Sequence, residues 1–181
     1  MTPAEAQRIL TEADRIYSAA DVQRAIAKLA TEITRGLADS HPLVLTVMGG
    51  AIVFAGQLLP HLAFPLEADY LHVTRYGSGT TGGELNWVVE PRTLVKDRVV
   101  LVLDDILDEG ITLSAIKARL MAQGARECLV AVLTEKDLGR TKPIRPDFVG
   151  LRLPNRYVFG CGMDIDGAWR NLPAIYAVKG N

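Results

Sequence analysis

The sequence contains few cysteines and no excess of positive charge. Its two cysteines, Cys128 and Cys161, lie far apart in a chain of 181 residues. This fits a reducing compartment better than a disulfide framework, so we expect a cytoplasmic protein. Lys and Arg number 20 against 21 Asp and Glu, which gives a formal net charge of −1. Without a basic surface, nucleic acid and anionic membranes are poor candidates for partners, and small metabolites are better ones.

Long apolar segments are also missing. No window of the sequence approaches the run of about eighteen uninterrupted apolar residues that indicates a membrane-spanning helix. The N-terminal segment carries acidic residues from Glu5 onward and lacks an apolar stretch followed by a cleavage site, so no signal peptide is predicted. We therefore expect a soluble protein. A chain of 181 residues suffices for one domain with a sizeable core, and we predict a single domain over residues 1–181.

Apolar strands alternate with helices along most of the chain, which indicates an α/β fold with a central parallel sheet flanked by helices. The predicted strands cover residues 15–17, 43–47, 71–76, 84–90, 99–103, 128–133 and 148–153. The predicted helices are a short one opened by Thr2 and Pro3, one over residues 21–38, an apolar one ending at Leu59, and one over residues 112–123. Prolines divide the C-terminal tail, which we expect to cap the sheet edge rather than to form a second domain.

The most informative local pattern is a buried strand followed by acidic residues and a tight turn. Residues 99–103 are five consecutive branched apolar residues, which suits a strand buried on both faces of a parallel sheet. Asp104 and Asp105 follow at its carboxyl end, where ligands of open α/β sheets bind. Asp108 and Gly110 predict a tight turn, and Thr112 is a suitable N-cap for the next helix. Carboxylate oxygens that can bind hydroxyls or a divalent metal would thus lie beside backbone N–H groups that can bind a phosphate.

Two other kinds of site also place acids after an apolar strand. They are the acidic pocket of a response regulator and a metal-binding strand of the Walker-B type. Neither expects the turn of the form Asp-x-Gly-x-Thr at residues 108–112, and the chain has no G-x-x-x-x-G-K-[ST] loop. The pattern therefore favours a sugar-phosphate site over both alternatives.

Residues 100–112 resemble the phosphoribosyl-diphosphate (PRPP) signature of the type I phosphoribosyltransferases. The tail is similar to the C-terminal signature of one subgroup, the hypoxanthine-guanine phosphoribosyltransferases, at residues 145–150, Pro154, residues 157–160, Asp164 and residues 170–172. The resemblance spans from about residue 40 to the end of the chain. It implies the fold of that family, with a core of about residues 21–140 that holds PRPP. A small hood, from about residues 1–20 and 141–181, would hold the base.

The resemblance implies roles for the residues that would meet PRPP. Asp104 and Asp105 would bind the ribose hydroxyls and help orient Mg²⁺. The 5′-phosphate would be held by the turn formed by Asp108, Glu109, Gly110, Ile111 and Thr112. Asp108 would also exchange a proton with the purine N7. The backbone of Met48 and Gly49, through a cis peptide bond as in relatives, would meet pyrophosphate, and Arg170 would supply positive charge to it.

The resemblance assigns the purine to four further residues. Lys136 would donate to the purine O6 and select a 6-oxo base, because an ammonium only donates and the amino group of adenine also donates. Tyr157 would stack on the ring, and Val158 would pair with it through backbone groups. Asp164 would contact the metal and the amino edge of the base. The glycine-rich residues 77–83 suggest a lid that closes over the site, with family-matching residues Tyr76, Gly77 and Ser78.

We expect Mg²⁺-dependent transfer of phosphoribose from PRPP to N9 of hypoxanthine or guanine, giving IMP or GMP and pyrophosphate, in a homodimer or homotetramer. A xanthine-preferring enzyme and a regulatory relative that binds PRPP or nucleotide without turnover stay open as alternatives. Glu109, Ile111 and Met48 depart from the residues that are common in relatives. We expect Glu109 to point away from a bound phosphate, because a carboxylate facing the phosphate would be repelled.

Overall fold

A computed structural model describes residues 1–75 and 85–180 of the chain. Within these residues the helices are α1 (Pro3–Glu12), α2 (Ala19–Leu37), α3 (Ala51–Leu58) and α4 (Ile111–Ala122). The strands are β1 (Asp14–Tyr17), β2 (Leu43–Met48), β3 (Glu67–Arg75), β4 (Leu85–Val89), β5 (Val99–Leu107), β6 (Glu127–Lys136), β7 (Phe148–Leu153), β8 (Val158–Phe159) and β9 (Ile175–Ala177). No helix in this part of the chain is long and apolar enough to cross a membrane.

The strands form one large sheet and one small sheet. The large sheet has the order β4-β3-β2-β5-β6-β7. Its strands run parallel except for the edge strand β4, which pairs antiparallel with β3. The predicted α/β fold with a central, mostly parallel sheet is therefore confirmed. The carboxyl ends of β2, β5 and β6 meet at the same edge of this sheet.

Strand β5 lies inside the sheet and is buried on both of its faces, as its apolar run predicts. Leu101 and Leu103 belong to the core cluster that α2 and α3 cover. Val100 and Val102 belong to the second cluster, on the face that α4 covers. All four side chains are 0% exposed, and burial of each stabilises the fold by roughly 1.5 to 3 kcal/mol. This packing determines where along β5 the buried core ends and the acidic residues begin.

Strands β3 and β5 are longer than the sequence predicts. The pairing of β5 with β6 continues through Asp104, Ile106 and Leu107, so the two aspartates lie within the last part of the strand rather than after it. Strand β3 begins at Glu67, which pairs with Leu43 at the start of β2. In both cases hydrogen bonding to a parallel neighbour carries the strand into residues whose own pattern is not strand-like.

The predicted start of α2 at Asp21 is wrong. The helix begins at Ala19, and Ser18 is its N-cap. The Ser18 hydroxyl accepts a hydrogen bond from the Asp21 backbone N–H at 3.2 Å, and the Asp21 carboxylate accepts one from the Ser18 backbone N–H at 2.9 Å. This is a capping box, in which the acidic residue lies in the third helical position and not at the cap.

The prediction that Thr112 caps α4 is also wrong. The helix begins at Ile111, and its N-cap is Gly110, which makes no side-chain cap. Gly110 has a φ of 81°, a left-handed conformation that glycine adopts without steric cost. A Cβ at this position would lie 3.0 Å from Cγ2 of Ile144. The chain therefore enters the helix before Thr112, and Thr112 lies in the first helical turn.

The small sheet joins the two ends of the chain. It has the order β1-β9-β8, and both pairings are antiparallel. Strand β1 is an edge strand, as predicted for residues 15–17. Strand β7, however, extends the large sheet beyond residue 140. The division into a core of about residues 21–140 and a hood made of both ends therefore remains a proposal, which the composition of the small sheet supports.

Candidate active site

A cleft of about 480 Å³ lies between the carboxyl edge of the large sheet and the C-terminal segment. The predicted site residues that line it are Met48, Gly49, Asp104, Asp105, Asp108, Lys136, Tyr157, Val158, Asp164 and Arg170. Residues from three strands of the sheet and from the segment after β7 thus meet in one place. The assignment of individual roles to these residues remains a prediction.

Asp104 and Asp105 place two neighbouring carboxylates in the cleft, of which Asp105 is buried and Asp104 is half-buried. The Asp105 side chain belongs to a residue that is 7% exposed, and its backbone N–H donates to Oδ1 of Asp104 at 3.0 Å. Burial, followed by the negative charge of Asp105, raises the pKa of Asp104 well above its ordinary value. Burial also raises the pKa of Asp105, although hydrogen bonding to Asp104 and the charge of Arg170 oppose this shift. A cation in the cleft would relieve the cost of this pair.

The backbone packs closely around the carboxylate pair. The peptide bond between Met48 and Gly49 is cis, as the resemblance implies. A Cβ on Gly50 would lie 2.1 Å from Oδ2 of Asp105, and a Cβ on Gly162 would lie 2.2 Å from the carbonyl oxygen of Gly50. Only glycine fits at these two positions. The backbone of the turn after β2 and the backbone of the C-terminal segment can therefore both pack directly against Asp105.

The Arg170 side chain is held by the C-terminal segment itself. Its Nη1 donates to the Gly162 carbonyl at 2.7 Å, and its Nη2 lies 2.5 Å from Oδ1 of Asp164. The other carboxylate oxygen of Asp164 accepts from the Gly167 backbone N–H at 2.7 Å. Tyr157 lines the cleft and is 49% exposed. A positive charge and an aromatic ring therefore border the same side of the cleft.

Lys136 and Asp108 form an ion pair inside the cleft. Lys136 is the last residue of β6, and its Nζ donates to Oδ2 of Asp108 at 2.6 Å. The Lys136 side chain is 11% exposed, whereas that of Asp108 is 45% exposed. A cationic donor beside an anionic acceptor suits a ligand edge that carries an acceptor next to an N–H group. Glu135, the residue before Lys136 in β6, is not among the lining residues of the cleft. Its carboxylate forms an ion pair with Arg152 at 3.0 Å.

The rest of the predicted phosphate turn lies beside the cleft and does not line it. Of residues 108–112, Asp108 alone is among the lining residues. Oε1 of Glu109 accepts from Nη2 of Arg140 at 2.8 Å, so the carboxylate is directed to a neighbouring loop. Ile111 is 39% exposed. The binding of a phosphate by Glu109, Gly110, Ile111 and Thr112 therefore remains a prediction. The predicted lid residues Tyr76, Gly77 and Ser78 lie outside the described residues.

The cleft has six further lining residues, one of which is Gly50, described above. The sequence reasoning missed the other five. They are Val47, His72, Val73, Ile106 and Met163. Ile106 could have been found, because residues two apart in a strand face the same side and Asp104 was already placed in the site. His72 and Val73 depend on which strand pairs with β2, and Met163 depends on the path of the tail. No local sequence signal identifies these three.

The carboxylate pair predicts how stability depends on pH. A carboxyl group with a raised pKa binds its proton more tightly in the folded chain than in the unfolded chain. Its contribution to the free energy of unfolding is therefore fully present below the ordinary carboxyl pKa. That contribution is lost as pH rises toward the raised value, with a slope of up to about 1.4 kcal/mol per pH unit for each proton. Asp104→Asn should therefore stabilise the metal-free protein at neutral pH, with an advantage that vanishes near pH 4.

Chemical unfolding in EDTA between pH 4 and pH 8 measures this effect. Asp39→Asn is the matched control, because Asp39 is exposed and lies before β2, away from the cleft. A native chain that is as stable as Asp104→Asn at neutral pH would contradict the raised pKa.

Similarity to known proteins agrees with these features. A family model described as phosphoribosyl transferase domain matches residues 12–166. The chain is 33% identical over 165 residues to the hypoxanthine-guanine phosphoribosyltransferase of Bacillus subtilis (strain 168), covering 91% of this chain and 92% of that protein. It is 34% identical over 165 residues to the hypoxanthine-guanine-xanthine phosphoribosyltransferase of Tritrichomonas foetus, covering 91% and 90%.

Solved structures give the same result. A hypoxanthine-guanine-xanthine phosphoribosyltransferase structure superposes with a TM-score of 0.83 at 32% identity, covering 92% of this chain and 96% of that one. A hypoxanthine phosphoribosyltransferase from Staphylococcus aureus superposes with a TM-score of 0.89 and covers 95% of each chain. Its identity is 24%, so it supports the fold alone.

Proposed function

Because the chain belongs to the phosphoribosyl transferase domain family, we propose that it transfers the 5-phosphoribosyl group of PRPP to N9 of hypoxanthine or guanine, with Mg²⁺. The products would be IMP or GMP and pyrophosphate. Its relatives are purine phosphoribosyltransferases, and this chain is an enzyme of that class. What we propose beyond this class is the choice of base, the use of PRPP as the donor and the dependence on Mg²⁺. We also propose a homodimer or homotetramer.

One observation carries the proposal. The carboxylate pair Asp104–Asp105 and the ion pair Lys136–Asp108 line the same cleft. The first pair suits the hydroxyls and metal of a sugar phosphate, and the second suits the edge of a 6-oxo purine. A purine carries O6 and N7 next to each other on one edge, so a single base can meet Lys136 and Asp108 together. This shared cleft supports a site in which the two halves of the reaction would lie side by side.

Magnesium fits the donor set of the cleft. Mg²⁺ prefers oxygen ligands, keeps several waters, and is usually bound by one or two carboxylates together with substrate phosphates. Among the described residues, no group of three His, Cys, Asp or Glu side chains is arranged to hold a metal alone. Asp104 and Asp105 would hold the ion only with oxygens that PRPP supplies. When bound, Mg²⁺ would neutralise the charge that develops on the leaving pyrophosphate.

Asp164 has less freedom to act as a metal ligand. Both of its carboxylate oxygens already accept hydrogen bonds, from Arg170 and from the Gly167 backbone. A contact of Asp164 with magnesium or with the amino edge of the base would have to share one of these oxygens. Arg170 has five N–H donors in its guanidinium, and its contacts to Gly162 and Asp164 leave others for pyrophosphate.

The chain's own residues account for the chemical step. Breaking the bond between C1 of the ribose and the pyrophosphate oxygen builds positive charge on the ribose, next to the Asp104–Asp105 pair. The electron pair leaves with pyrophosphate, which Arg170 would stabilise. N9 of the purine forms the new bond, and the proton on N7 passes to the Asp108 carboxylate. Lys136 would hold O6, so the base presents N9 to the ribose.

The test is an assay of nucleotide formation with MgCl₂, PRPP and one purine at a time. We expect IMP from hypoxanthine and GMP from guanine, no AMP from adenine, and no product when EDTA replaces MgCl₂. Product from xanthine alone would support the xanthine-preferring alternative. Absence of product with every purine, from a folded protein that binds PRPP, would contradict the proposal.

Glu109 supplies a smaller prediction. Its carboxylate lies in the predicted phosphate turn and pairs with Arg140 at the surface. Glu109→Thr should tighten PRPP binding about two- to fivefold, because exposed charge interactions are worth roughly 0.2 to 1 kcal/mol. PRPP dissociation constants at two salt concentrations test this, since the advantage should shrink as salt screens the charge. Glu90→Thr is the control, because Glu90 is also exposed and pairs with an arginine. Weaker binding by Glu109→Thr would mean that Glu109 supports the turn.

A further inference from the structure

Lys142 lies outside the cleft, in the connection between β6 and β7, but its side chain is only 8% exposed. Its Nζ donates to the carbonyl oxygen of Leu107 at 3.1 Å and to the carbonyl oxygen of Lys136. It also lies 3.7 Å from Oε1 of Glu135. An ammonium group has three N–H donors. Two of these donors are used by the two carbonyl oxygens, and the Glu135 carboxylate balances the charge.

The two carbonyls belong to the last residues of β5 and β6. Leu107 pairs with Glu135 in the ladder between these strands. Leu107 directly precedes Asp108, and Lys136 directly follows Glu135. Lys142 therefore joins the two strands at the point where both chains turn away from the sheet, next to the ion pair of Lys136 and Asp108.

We propose that Lys142 is a positioning residue for purine recognition. By holding the last carbonyls of β5 and β6, its ammonium fixes the spacing of Asp108 and Lys136, so that both side chains meet the same edge of the base. Lys142 itself touches no substrate. The inference rests on the proposed function, in which Lys136 and Asp108 contact the purine.

The charge of Lys142 is balanced where it is buried. Glu135 has a side chain that is 16% exposed, and its second carboxylate oxygen lies 3.0 Å from Nη1 of Arg152. A buried ammonium that donates to two carbonyl oxygens and has a carboxylate 3.7 Å away has its charge balanced, and such a group orders the backbone around it. An uncharged side chain of similar length would leave both carbonyls without this donor. The effect would be local to the strand ends.

The predicted phosphate turn has contacts that do not involve the Lys142 ammonium. Glu109 pairs with Arg140 at 2.8 Å, and the backbone at Gly110 packs against Ile144, where a Cβ would come within 3.0 Å. These contacts remain when the ammonium is removed. Loss of Lys142 should therefore disturb the purine side of the cleft and leave PRPP binding intact.

Lys142→Met tests the inference, because methionine keeps the apolar stem and removes the three donors. We expect kcat/KM for hypoxanthine to fall about tenfold, as for loss of a buried charge-assisted hydrogen bond, and the PRPP dissociation constant to stay within twofold. Lys28→Met is the matched control, since Lys28 lies on α2 with a side chain that is 68% exposed. Unchanged hypoxanthine kinetics in a folded Lys142→Met protein would overturn the proposal.

A double variant separates positioning from general loss of structure. If Lys142 acts by setting the spacing of Lys136 and Asp108, Lys142→Met should cost clearly less in the Lys136→Ala protein than in the native chain. Additive losses would overturn the proposal. Should Lys142→Met fail to fold, Glu135→Gln replaces it, with a smaller loss confined to purine kcat/KM as the expected result and no loss as the contrary one. A Lys136→Ala protein with native purine kinetics would instead refute the proposed function itself.

Discussion

Replacing Asp108 by Asn is expected to lower turnover by about 10² to 10⁴, the usual effect of removing a proton-transfer group. The change should leave PRPP affinity nearly unchanged, because Asn has the same size and keeps an oxygen that can accept from Lys136. In the structure that contact is 2.6 Å long. Turnover is measured by IMP formation at saturating PRPP, and PRPP affinity by calorimetry.

The reason for so large an effect is the place of Asp108 in the cleft. Its carboxylate is beside the Lys136 ammonium, and O6 and N7 are neighbours on the purine edge. In the proposed function Lys136 holds O6, so Asp108 would lie where the N7 proton leaves as N9 attacks the ribose. An amide cannot accept that proton. The loss should therefore fall on the chemical step and not on binding.

The matched control is Asp39→Asn, an exposed aspartate at the opposite end of the sheet. It should keep native turnover and native PRPP affinity. Small and equal losses in turnover and PRPP affinity for Asp108→Asn would show that Asp108 serves only the shape of the turn.

The sequence predicts those parts of the site that are formed by contiguous residues. The run of residues 99–103 predicts a strand buried on both faces, and the alternation of its side chains between the two core clusters confirms this. Once that strand is placed in a parallel sheet, the position of Asp104, Asp105 and Asp108 at the carboxyl edge follows from topology. The cis peptide bond after Met48 came from the resemblance and not from any local pattern.

The parts that the sequence does not predict depend on contacts between distant segments. Thr112 is a good N-cap residue by itself, but Gly110 takes that place because its left-handed backbone lets the chain turn beneath Ile144. No local pattern singles out Lys142, yet its side chain is buried and its Nζ donates to the carbonyl oxygen of Leu107. In both cases a neighbour far along the chain decides the outcome, and a pattern within one segment carries no information about it.

Lys136→Ala is expected to reduce kcat/KM for hypoxanthine and guanine by about 10- to 100-fold. In the proposed function the variant would remove a charge-assisted hydrogen bond to O6, worth roughly 1.5 to 3 kcal/mol, and each 1.4 kcal/mol is about tenfold in affinity. It also leaves Asp108 without the ammonium that lies 2.6 Å away. The value of kcat/KM should fall to a similar degree for both oxopurines, because both present the same O6.

The selectivity of Lys136→Ala separates purine recognition from a general role. An ammonium disfavours adenine, whose 6-amino group also donates, so its removal should lower the ratio of hypoxanthine to adenine use while PRPP affinity stays native. Lys28→Ala, at an exposed position on α2, should leave all of these quantities unchanged. Steady-state kinetics with each base and calorimetry with PRPP measure them. Unchanged oxopurine kinetics would place Lys136 outside the purine site, and an equal loss of PRPP affinity would make its role structural.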